Sequence, residues 1–91
     1  MRKYIIERKV PGIGNSSGEE LKAGSKRSNA ALAAVGPGVQ WQHSYIVDDM
    51  TYCVYLAENE ELIKAHAERS GFPADRIQEV RGTFDPSTGH E

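Results

Sequence analysis

Ninety-one residues with a formal net charge of −2, from 11 basic and 13 acidic side chains, make one domain with no room for a second core. That balance excludes the basic field by which a nucleic acid or an anionic membrane is recognised, and 38% hydrophobic residues argue against wholesale disorder. One cysteine cannot close an internal disulfide, and no apolar run approaches the ~18–20 residues of a bilayer span.

The N-terminal MRKYIIERK has too short an apolar run for a signal-peptide core, so the expected location is the cytoplasm. Lys3 to Arg8 is the first predicted strand, β-branched and aromatic residues leading to the turn signal Pro11-Gly12. Ser17 with Glu20 three residues later has capping-box spacing, and Glu19 and Glu20 suit the positive end of a helix. Leu21, Gly24, Ser25, Ser28, Ala31, Leu32 and Val35 then recur at helical spacing. This stripe of mostly small side chains predicts a helix that approaches the sheet closely. Lys22, Lys26 and Arg27 read as its solvated face, and Gly36-Pro37-Gly38 ends it.

Val39 to Ala57, VQWQHSYIVDDMTYCVYLA, reads as two strands joined by an acidic turn at Asp48-Asp49. Simple alternation puts Val39, Trp41, His43, Tyr45 and Val47 on one face, with Gln40, Gln42, Ser44 and Ile46 on the other. Asn59 caps a second helix with Leu62, Ile63, His66, Ala67 and Ser70 along one side, and Gly71 ends it. After the break at Phe72-Pro73, Ile77 to Phe84 is the last predicted strand. Residues 1–86 form the domain and 87–91 a flexible tail.

The order β-α-β-β-α-β is the split βαβ arrangement of ferredoxin-like folds, an α+β sandwich with two helices on one face of an antiparallel sheet. In the second hairpin strand Tyr52, Val54 and Leu56 are apolar or aromatic, and so are Cys53, Tyr55 and Ala57. A sheet apolar on both sides needs cover on both. The expected cover is a second copy, giving a homodimer of the dimeric αβ-barrel type with side chains lining the shared interior.

A set of segments spread along the chain carries a resemblance: Tyr4-Ile5-Ile6-Glu7-Arg8, Ser28-Asn29-Ala30-Ala31-Leu32, Gly36-Pro37-Gly38-Val39-Gln40-Trp41, His43-Ser44-Tyr45, Tyr52-Cys53-Val54-Tyr55, Ala65-His66-Ala67 and Gly71-Phe72-Pro73-Ala74-Asp75-Arg76-Ile77. To about Pro86, the chain resembles a small bacterial domain family that includes a nickel-binding protein of ferredoxin-like fold. The resemblance implies that fold, a homodimer, and binding of nickel or a similar divalent transition metal. It assigns no ligand positions.

The residues themselves offer five candidates: His43, Cys53, Tyr45, His66 and Glu7. Imidazole and thiolate suit nickel, copper or zinc. Whether they meet depends on the hairpin register, because a one-residue slip moves every side chain to the other face. A three-residue turn over Asp48–Met50 sets Tyr45 opposite Cys53 and His43 opposite Tyr55; a two-residue turn sets Tyr45 opposite Tyr52 and His43 opposite Val54. The bland alternative is a hydrogen-bonded histidine beside a buried, inert thiol. His66 has no histidine partner at i+3 or i+4, and Glu7 on an inward face would need a partner or a ligand.

Other chemistry is missing from the sequence. GIGNSSG lacks a P-loop lysine, there is no CxxC, GxSxG or HExxH, and no RNP-type aromatic motif marks an RNA-binding sheet. Three readings remain: a dimeric binder of a divalent metal, nickel first, for sequestration or sensing; a small dimeric enzyme or organic-ligand binder similar to cofactor-independent monooxygenases; or a structural interaction module with no small ligand. In the enzyme reading, His43 would be the acid/base and the tyrosines donors.

Overall fold

The computed structural model describes residues 1–90. Strand β1 (Arg2–Lys9) leads through a 3-10 turn at Ile13–Asn15 to helix α1 (Gly18–Val35). The hairpin of β2 (Val39–Ile46) and β3 (Met50–Ala57) precedes helix α2 (Glu60–Ser70), strand β4 (Arg76–Glu79) and a 3-10 turn at Pro86–Gly89. The four strands form one antiparallel sheet in the order β2-β3-β1-β4, the ferredoxin-like arrangement. Residue 91, the end of the expected tail, lies outside the described residues.

Alternation decides which side is the core. In β1 Tyr4, Ile6 and Arg8 are buried, and in β3 so are Thr51, Cys53, Tyr55 and Ala57. Of these, Tyr4, Ile6, Cys53, Tyr55 and Ala57 join Val39 of β2 and Ile63 of α2 in one apolar cluster, with Leu32, Val35 and Leu62 packed against it from the helices. The opposite face, with Ile5, Glu7, Tyr52, Val54 and Leu56, is half-buried.

Local chemistry sets the helix ends. Ser17 Oγ accepts the Glu20 N–H at 3.1 Å while Glu20 Oε1 accepts the Ser17 N–H at 2.9 Å, the reciprocal capping box. Asn59 Oδ1 accepts the Leu62 N–H at 3.1 Å to start α2. Gly71, at φ 76°, takes the left-handed conformation that closes it.

The last strand is shorter than the predicted Ile77–Phe84. Its pairing runs from Glu7↔Arg76 to Tyr4↔Glu79, with one further bond from the Val80 N–H to the Lys3 oxygen at 2.8 Å. β1 continues only one residue further, to Arg2, so at most Arg81 could still find a partner there and the expected residues 82–84 have none.

The β2–β3 turn takes the two-residue register. Tyr45 lies opposite Tyr52, His43 opposite Val54, and the Val47 N–H donates to the Met50 oxygen at 3.0 Å. Such turns normally use left-handed residues, yet no non-glycine residue here has positive φ among those described. The turn is held from outside instead. Gly14 N–H donates to the Asp48 oxygen (3.0 Å), Val10 N–H to the Asp49 oxygen (2.9 Å), and Gly12 N–H to Asp49 Oδ1 (2.8 Å).

Candidate functional site

A β-bulge between Trp41 and His43 decides where the chemistry of β2 points. The pairings Val39↔Ala57 and Trp41↔Tyr55 keep Val39 and Trp41 on the helix side. The extra residue, Gln42, then flips the alternation: His43 and Tyr45 pair with Val54 and Tyr52 on the open face, while Ser44 and Ile46 pair with Cys53 and Thr51 on the helix side. The single face expected for Trp41, His43 and Tyr45 is therefore divided in two.

On the open face the His43 and Tyr45 rings meet edge to face, centroids 5.1 Å apart and planes at 83°. His43 is exposed and Tyr45 is 62% exposed. Glu7 shares this face, beside Tyr52 in the adjacent row, and faces Arg76 with Oε2 3.9 Å from Nε. From strand spacing and rise, the His43 and Glu7 backbones are about 12 Å apart. Among the described residues, no group of three or more His, Cys, Asp and Glu side chains has metal-binding geometry.

Cys53 and His66 lie on the other side of the sheet. Cys53 is buried and donates from Sγ to Thr51 Oγ1 at 3.5 Å. His66 is wholly buried, its Nε2 at 3.2 Å from Ser28 Oγ and 3.3 Å from the Ser28 carbonyl, its ring tilted against Tyr55 at 5.3 Å. The carbonyl makes Nε2 the protonated nitrogen, which leaves Nδ1 buried without a partner. Burial holds this imidazole below its ordinary pKa, with the Arg8 charge adding to the effect against the Ser28 bond. The structure thus brings His43 and Tyr45 together, places Glu7 on the same face at a distance, and separates Cys53 and His66 from all three.

The residue that the sequence reading passed over is Arg8. It is 3% exposed, and its guanidinium donates to the Pro73 carbonyl, to the Phe72 carbonyl at 3.5 Å and to the Tyr55 hydroxyl at 3.4 Å. Its signal was present: in KYIIER it shares the period-two set of Tyr4 and Ile6. Arg8 also lines a cavity of ≈ 640 Å³ between α1 and the sheet. Contrary to the close approach expected from sequence, the small stripe of α1 does not pack tightly on the strands along its whole length. Gly24, Ser25 and Ser28 line that space instead.

Residues 4–80 match the model of the SCO4226-like family, described as nickel responsive protein SCO4226-like. The chain belongs to this family. The SCO4226-like match ends where β1–β4 pairing ends, at Val80. The fold is similar to the crystal structure of SCO4226 from Streptomyces coelicolor A3(2), with a TM-score of 0.75 and 19% identity over 90% of this chain and 99% of that one. At that identity the likeness shows the ferredoxin-like fold. No curated protein matches the chain. No helix among the described residues is long and apolar enough to cross a membrane.

Proposed function

We propose that this SCO4226-like protein binds a divalent transition metal, nickel first, on the open face of its sheet, for sequestration or sensing. The observation that supports this is the exposed His43 imidazole, set on that face against Tyr45 by the Gln42 bulge. Imidazole is a donor that nickel accepts, and the family is described as nickel responsive. One chain falls short of a coordination sphere: its open face carries one imidazole, and Glu7 is engaged by Arg76. A second copy packed sheet to sheet would contribute its own His43 and Tyr45, so the reading requires a homodimer. Cys53 and His66, on the helix side, take no part in it.

Calorimetry with nickel on tag-free protein tests this directly. A saturable event is expected in the wild type and is lost in His43→Ala, while Cys53→Ser keeps it. Nickel binding that survives His43→Ala would remove the proposal.

A further inference from the structure

The cavity beneath α1 lies on the other side of the sheet from His43, and its chemistry is that of an anion site. Arg8 carries a buried positive charge whose contacts are all neutral: two carbonyl oxygens and the Tyr55 hydroxyl. Among the described residues no carboxylate lies within ion-pair distance of it, whereas a buried charge ordinarily requires a countercharge. Burial raises the Tyr55 pKa above that of a free phenol, so the hydroxyl stays neutral and does not supply one. Glu20 also lines the cavity, but its carboxylate is committed to the Ser17 N–H at 2.9 Å. Arg27 adds a second cation at the rim, stacked 4.3 Å from the Phe72 ring centroid.

The rest of the wall is apolar. Trp41, Leu21, Ile13 and Ile46 face the space, and Trp41 is fixed there by donating from Nε1 to Ser44 Oγ at 2.9 Å. A volume of ≈ 640 Å³ falls within the roughly 300–1,000 Å³ of small-molecule sites.

We propose that this cavity binds a small organic carboxylate, its acid group on the Arg8 guanidinium and its apolar body against Trp41. The match is by charge: one buried guanidinium without a countercharge, its donors already partly used, suits a monoanion better than a phosphate dianion. Guanidinium also takes a carboxylate through paired N–H donors. The site is independent of nickel, since it shares no residue with the open face.

Trp41 is the sole tryptophan, so its fluorescence reports occupancy. Tag-free protein in a chelator-containing buffer is titrated with benzoate and octanoate, then with benzamide, octanamide and phenyl phosphate. Saturable quenching by the two acids is expected, with the amides at least ~10-fold weaker for loss of the charge-assisted bond. Gly24→Leu should abolish it by filling the cavity, since a Cβ there already sits in contact with the Phe72 ring at 3.6 Å and a longer side chain extends into the space. Arg8→Met should erase the preference for acids over amides. If that variant does not fold, the wild-type acid-against-amide comparison still decides. Amides binding as well as acids, phenyl phosphate binding more tightly than benzoate, a requirement for nickel, unchanged binding in Gly24→Leu, or no saturable signal from either acid would each overturn the assignment.

Discussion

His66 shows how one side chain couples the core to pH. Its imidazole is neutral when folded, with Nε2 toward Ser28 and Nδ1 enclosed without a partner. Burial depresses its folded pKa, so below the ordinary imidazole value of about 6.5 the unfolded chain binds a proton that the folded one resists. Stability from this residue is present above that pH and lost as pH falls through it. Urea midpoints measured from pH 8 down to pH 5 should fall for the wild type and flatten for His66→Gln; equal slopes in the two proteins would dissociate the effect from His66. His43 sits in solvent on the opposite face, and what it offers is an accessible lone pair. Two histidines of one small chain thus have different chemistry because the sheet lies between them.

At the scale of elements, the β1–α1 loop is what holds the hairpin in register. Asp48 and Asp49 lack the left-handed conformations of a self-sufficient two-residue turn, and the N–H groups of Val10, Gly12 and Gly14 bind them from across the loop. Gly14 permits that approach, since an added Cβ would stand 2.8 Å from the Val47 oxygen and 2.9 Å from Asp48 Cα, both backbone atoms that cannot swing aside. Gly14→Ala should therefore destabilise by about 1–3 kcal/mol in chemical denaturation, the range of an overpacked contact. A variant as stable as the wild type would mean the loop yields without harm. The same loop, by supporting the turn, fixes which face His43 and Tyr45 occupy.

For the whole molecule, the decisive surface is the open face. Val54 and Leu56 are half-buried there in a single chain, beside Ile5 and the exposed Tyr45. Apolar residues in a contiguous row across strands are the kind of surface that a second copy covers. Sedimentation at micromolar concentration should give a dimer for the wild type and a monomer for Leu56→Glu with its circular dichroism retained. A wild type that sediments as a monomer would remove the partner on which the nickel reading depends. It would leave the carboxylate site untouched, because every residue of that cavity comes from one chain.

Order of elements, both helix starts and the glycine stops could be read from sequence, because caps and periodicity are local: Ser17 with Glu20, Asn59, and Gly71 each act within a turn of their position. The ferredoxin-like order followed from them, and the family from the resemblance carried by segments spread along the chain. Three things waited for the tertiary structure. The bulge at Gln42 turned His43 away from Trp41, the β1–β4 pairing stopped at Glu79 rather than Phe84, and the gap under α1 left Arg8 buried beside open space. Each depends on where a distant segment lies, and no window of neighbouring residues contains that information.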